Sequence, residues 1–309
     1  MEINNSYVFL AIGKTQESTE TQEFKKYVGV GSSFVVAVNP TKKEFEDIIG
    51  HEVANDPEYV VDTDNGKEAR IKFVVKTDPN TCNGVEIINQ VMFTLRNAPA
   101  YNKDQSKVQV IDKYGNSTWA PTEDAKAGKK LFSATGKELK IDSSYRIACV
   151  GEADLIGFLK AYLCVGDAFN YVNDSWVKKE NADDFLFSLE HVKDYFSGDF
   201  SEVKDAIALQ PNNKVKLLYG VRTTDEGKQY QTIATRSGMV LYNSAGSKAL
   251  SKLEKDLANA KNSGSYTSTD FRVQELSEYS VEPTNFSSAP TTSTGGQGSE
   301  VSMGDMPWD

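Results

Sequence analysis

Histidine and cysteine are scarce in this chain of 309 residues, with two of the first and three of the second. His51 and His191 stand far apart. Cys82, Cys149 and Cys164 are spaced neither as a disulfide framework nor, with the histidines, as zinc ligands. Three separate buried thiols are the expectation, and no metal or other cofactor is predicted. Phosphate-loop, dinucleotide-binding and nucleophile-elbow motifs are missing too. Gly29, Gly31 and Ser32 sit close together, but no Gly-Lys-Ser/Thr follows and the chain continues as strand. A bulge or tight bend is expected there. The pair Asp183-Asp184 falls at a predicted helix start, where capping explains it. An enzyme is therefore not expected. No apolar run approaches the ~20 residues of a membrane span, and the N-terminus has no signal-peptide core. These absences predict an intracellular protein with no membrane partner.

Positive charge is absent after Arg272, while Glu275, Glu278, Glu282, Glu300, Asp305 and Asp309 follow it. Residues 283–309 are rich in Ser, Thr, Gly, Pro and Gln, a composition that cannot bury enough apolar surface to offset the entropy of ordering. A disordered acidic tail is expected. Its tip changes character: Met306, Pro307 and Trp308 lie between Asp305 and Asp309. A tryptophan at the end of a solvated tail suits a recognition peptide better than a frayed terminus.

The whole chain carries a net charge of −10, which argues against a polyanion partner. Setting the six tail acids aside leaves 34 Lys and Arg against 38 Asp and Glu, a net of −4. Clustering matters more than the total, because one face makes the phosphate contacts.

Two strands supply such a face. In residues 68–77, Ile71, Phe73 and Val75 alternate with Arg70, Lys72 and Lys76, the pattern of a sheet with an apolar inner side and a cationic outer one. Residues 214–236 read as a hairpin. Val215, Leu217, Tyr219 and Val221 face one way, Lys214, Lys216 and Arg222 the other, and Arg236 closes the returning strand. Residues 85–96 repeat the theme more weakly, with Val91, Phe93 and Leu95 inward and Arg96 outward. Basic residues also interleave with aromatics at Tyr101, Lys103, Lys107, Lys113, Tyr114, Trp119, Tyr145 and Arg146. Cations that track phosphates and rings that stack on bases are what a single strand requires. Packing of those aromatics in the core or in turns is the competing account.

The remaining elements are helices at 152–168, 183–196, 201–209 and 247–261. A short one opens at Asn39-Pro40-Thr41, with Asn39 as cap and Gly50 as stop. Asn65-Gly66 predicts a hairpin turn. Further strands are expected at 7–12, 239–242 and 271–281. The result is an α+β chain, mainly β: an OB-fold-like antiparallel barrel over residues 1–282, elaborated by a helical insertion at about 150–210, then the tail.

The tip at Asp305, Pro307, Trp308 and Asp309 resembles the C-terminal tail of single-stranded DNA-binding proteins. There a flexible linker ends in a short acidic peptide closed by Pro and an aromatic. This chain has fewer acids, and Trp-Asp in place of a terminal Phe. The body is similar to phage-encoded members of that family, of the kind carried by crAss-like phages of gut bacteria. The stretches that carry this are NPTKKEFEDIIG (39–50), KVQVIDKYGNSTWA (107–120) and QPNNKVKLLYGVRTTDEGKQYQ (210–231). The resemblance implies a protein that coats single-stranded DNA during phage replication or recombination, in the cytoplasm of the host bacterium. It implies recruitment of replication or recombination proteins through Asp305–Asp309. A homo-oligomer stays open. The alternative is a phage structural or assembly protein whose tail is a docking peptide and whose basic strands are solvated faces.

Overall fold

A computed structural model of the chain describes residues 27, 29–187, 189–223 and 229–233. The strands expected at 7–12, 239–242 and 271–281, the helix at 247–261, Arg236 and the tail lie outside them. The described part is α+β and mainly β. It is built on a seven-stranded antiparallel sheet curled into a half-barrel.

The strands of that sheet are β1 (Gly29–Val38), β2 (Val60–Thr63), β3 (Gly66–Thr77), β4 (Ile88–Pro99), β8 (Cys149–Val150), β11 (Val215–Thr223) and β12 (Gln229–Ile233). Their order is β12-β11-β1-β3-β4-β8, and β2 pairs with the first four residues of β3. A three-stranded sheet of β6 (Ser117–Pro121), β5 (Lys107–Ile111) and β7 (Arg146–Ile147) continues it. Residues 146–150 join the two, since β7 pairs β5 while β8 pairs β4. A separate hairpin comprises β9 (Phe169–Val172) and β10 (Ser175–Lys178).

The alternating pattern read in the sequence decides which side is core. Ile71, Phe73 and Val75 are fully buried, as are Val91, Leu95, Val215, Leu217 and Tyr219. Helix α3 (Glu152–Tyr162) lays Leu155, Phe158 and Leu159 on that inner side. Phe158 stacks 4.5 Å from Phe73 and 5.4 Å from Phe93, centroid to centroid. Helix α4 (Ser201–Ala208) adds Val203 and Ile207 to the same core. Helix α1 (Lys42–Ile49) covers part of the outer side, and α2 (Thr122–Lys126) packs on the three-stranded sheet.

Several expectations are corrected in detail. β1 runs without a break through Gly29 and Gly31; its irregularity comes later, between Val35 and Ala37. The α1 cap is Thr41, in a reciprocal capping box with Glu44. Asn39, at φ 45°, instead bonds the backbone of β3: its amide donates to Arg70 O and its carbonyl accepts from Lys72 N. The residue thereby carries the ladder across the gap between β1 and β2. Helix α3 stops at Tyr162, well short of 168. Cys164 enters the left-handed region at φ 58°, and Val165 N reaches back to Lys160 O, as in a Schellman ending.

The helix expected over 183–196 is two short 3₁₀ turns, Ala182–Phe185 and Asp194–Ser197, with irregular chain between. Leu189, Val192 and Phe196 are buried as their spacing required. The Glu202 carboxylate, not a helical ladder, accepts from Glu190 N and His191 N.

Candidate nucleic-acid interface

Register places the predicted cations. On the outer side of the sheet, Lys216 lies opposite Ser32 and Phe34 opposite Lys76. Arg70 lies opposite Thr94, Lys72 opposite Met92, and Arg96 opposite Glu68. Lys214, just before β11, has the same parity as Lys216. Six of the predicted cations therefore share one face of one sheet. Arg222 follows on β11, across from Tyr230.

The face is not uniform. Phe45 and Ile49 of α1 sit on Val74, with Ala37 and Ile88 beside them, and this divides the cations. On one side Lys76, Lys214 and Lys216 surround Phe34, and the Lys214 ammonium lies 4.7 Å from the Phe34 ring centroid. On the other side are Arg70 and Arg96. Between them Lys72 is drawn under the helix, its ammonium 5.7 Å from the Phe45 ring and 5.8 Å from Tyr59. Burial, with the Arg70 guanidinium second, pushes its pKa below the usual lysine range.

Carboxylates temper the rest. Lys214 donates to Asp78 at 2.6 Å, and that bond holds the Asp78 carboxyl below its ordinary range. Lys76 pairs with Glu86 at 3.0 Å. Arg96 and Arg70 share Glu68, at 2.8 and 3.8 Å. Six cations thus gather on one face of a chain that is acidic overall, with Asp78, Glu86 and Glu68 set among them.

The second predicted group is dispersed over the three-stranded sheet and its connections. Lys107 and Trp119 share the outward side of β5–β6, because Val108, Val110 and Ala120 take the inward side. Lys103 is exposed in the turn that leads into β5. Tyr101 is half-buried, with the Lys126 ammonium 5.9 Å from its ring. Tyr145 packs on the small core of that sheet, and its hydroxyl donates to Lys129 O at 2.7 Å. Tyr114 is only 2% exposed and meets Phe169 edge-on at 5.5 Å; its ring faces the interior, with Lys113 and Lys178 above it. Arg146 is committed within the fold: its guanidinium grips Glu152 with two bonds and donates to Leu189 O at 3.0 Å.

Sequence reasoning overlooked Phe34. The signal was available, since Ser32 and Phe34 alternate with Ser33 and Val35. It also passed over the β9–β10 hairpin, where Asn173 and Asp174 at φ 48° and 59° make a tight mirror-image turn. Asn-Asp between Phe-Asn-Tyr-Val and Ser-Trp-Val-Lys was its signature. Among the described residues no group of three or more His, Cys, Asp or Glu is placed to hold a metal ion. None of their helices is long and apolar enough to cross a membrane. Comparison with protein-family models, curated proteins and solved structures finds no match to this chain.

Proposed function

We propose that the protein binds single-stranded DNA along the outer face of the curled sheet, as an OB-type barrel elaborated by the 150–210 segment. The observation that carries this reading is the alignment of Arg70, Lys72, Lys76, Arg96, Lys214 and Lys216 on one face, with Phe34 set among three of them. Such a face pairs cations for a phosphate backbone with a ring for a base. Lys107 and Trp119 extend it on the neighbouring sheet. In this reading residues 1–282 coat DNA during phage replication or recombination in the host cytoplasm, and the protein is not an enzyme. Residues 283–309 recruit replication or recombination proteins through Asp305, Met306, Pro307, Trp308 and Asp309.

One observation favours a phage structural or assembly protein instead. At least four of the six sheet cations already have carboxylate partners within the chain, as a solvated face would. Titrating fluorescently labelled oligo-dT at several salt concentrations separates the two. The DNA-binding reading expects affinity that falls steeply with salt, and a log–log slope about 0.7 shallower for each phosphate-contacting lysine removed, as in Lys76→Ala or Lys216→Ala. An absence of binding at low salt would leave the assembly reading.

A further inference from the structure

A cavity of about 330 Å³ opens between residues 128–145 and the β9–β10 hairpin. That is the size range of small-ligand pockets. Because Trp176 registers on Tyr171 and Lys178 on Phe169, these four side chains share one face of the hairpin. Phe169, buried against Tyr114, anchors its base. Toward the tip the Tyr171 and Trp176 rings meet at 4.8 Å, tilted by 55°. Tyr171 is 38% exposed and Trp176 is half-buried on the cavity wall.

Ammonium groups crowd these rings. Lys137 lies 4.7 Å from the Tyr171 centroid and Lys140 4.9 Å from that of Trp176, while Lys129, Lys130 and Lys178 line the cavity. Carboxylates fasten part of this set in place. Lys178 is paired with Asp142, Lys140 with Asp167, Lys130 with Glu138 and Lys129 with Asp124. Among the described residues no carboxylate pairs with Lys137. A flat ring system beside several cations selects a ligand that is planar on one side and anionic on the other. An acidic peptide without an aromatic side chain offers the charge without the plane, and a neutral aromatic the plane without the charge.

We propose that the hairpin and the 128–145 segment form a subsite for one nucleobase with its phosphates. Trp176 and Tyr171 stack on the base, and Lys137, Lys140 and Lys178 hold the phosphates. This site lies on different elements from the cationic sheet face and stands on its own geometry. It extends the DNA-binding reading to a second contact point.

The test uses the full chain carrying Trp119→Phe and Trp308→Phe, which leaves Trp176 as the sole tryptophan. Its emission is followed during titration with unlabelled oligo-dT and, separately, with thymidine monophosphate. Binding of labelled oligo-dT is followed by anisotropy, with circular dichroism as the check on folding. Saturable quenching of Trp176 is expected with oligo-dT. Tyr171→Ala combined with Lys137→Ala, the first exposed and the second half-buried, should weaken the anisotropy-read affinity about tenfold or more. Quenching by the monophosphate as well would assign the subsite to the nucleotide unit itself rather than to the continuous strand. Oligonucleotide binding with Trp176 silent and the double variant unaffected would overturn the subsite and leave the sheet face standing. A Trp176 response and an oligo-dT affinity that are both unchanged by Lys76→Glu with Lys216→Glu would keep the subsite and remove the sheet-face reading.

Discussion

A Cβ built on Gly31 would lie 2.5 Å from Cys82 Sγ and 3.3 Å from the Tyr219 ring. Both neighbours are fully buried, and Tyr219 is pinned by a 2.6 Å hydrogen bond to Ser33. Gly31→Ala should therefore cost about 1–3 kcal/mol by overpacking, read as a fall in the urea midpoint with little change in its slope.

Asp142 makes a second residue-scale prediction. Burial alone would raise its carboxyl. Hydrogen bonds from Lys178 and from Ser144 outweigh that and hold it at about 2, against an ordinary 3.8. Its backbone N–H also ties it to the Asp112 carboxylate. Because the folded value is depressed, the stabilisation is complete above the unfolded pKa and is lost as pH falls through the folded one. On the order of 2 kcal/mol of stability should disappear between about pH 4 and pH 2. In Asp142→Asn that acid-dependent loss should shrink, and chemical denaturation at stepped pH would reveal it. Neither prediction was legible in the sequence. A glycine in a β-rich run reads as a bend, and nothing local announces that residues 51 and 188 positions away close on it.

At the scale of elements, local chemistry and packing separate cleanly. Helix α1 is specified by short-range signals: the Thr41–Glu44 capping box, the Phe45, Ile48 and Ile49 stripe, and Gly50 at φ 75°. Thr41→Ala should cost about 1 kcal/mol; an unchanged urea midpoint would show that tertiary contacts alone hold the helix. The position of the cap was misjudged by two residues because Asn39 has the chemistry of a cap, yet a strand 31–33 residues away claims it. Helix α3 depends on packing. Phe158 bridges Phe73 of β3 and Phe93 of β4, so Phe158→Ala should lose about 3–5 kcal/mol through the cavity it leaves. A loss below 1 kcal/mol would mean the site collapses around the gap. The 182–197 segment shows the opposite failure: helical spacing of Leu189, Val192 and Phe196 marked burial correctly and conformation wrongly, because Glu202 satisfies the backbone donors that a helix would have paired internally.

For the whole molecule, the decisive property is the contrast between the cations gathered on one sheet face and the residues after Arg272, which carry six acids and no Lys or Arg. Under the proposed function, removing residues 283–309 deletes Glu300, Asp305 and Asp309 and with them a polyanion that competes with DNA. Affinity for oligo-dT should stay the same or rise, while capture of replication or recombination proteins should vanish. Equal loss of both would refute that division of labour. The dispersion of Tyr101, Tyr114, Trp119, Tyr145 and Arg146 bears on the same scale. Interleaving in sequence does not make one surface: Tyr114 turns into a small core and Arg146 is claimed by Glu152.

Period-two alternation alone determined that β3, β4 and β11 would bury Ile71, Phe93 and Leu217 and turn Arg70, Arg96 and Lys216 outward, because a pleated strand has only two sides. Composition likewise determined that residues 283–309 differ from the body. Tertiary structure decided which strands became neighbours, and so brought Lys214 over Phe34 and slid α1 across Lys72. It also paired at least four of the six cations with carboxylates and set Trp176 against Tyr171 beside a lysine-lined cavity. These outcomes depend on register and on contacts between residues far apart in the chain, which a periodic pattern does not encode.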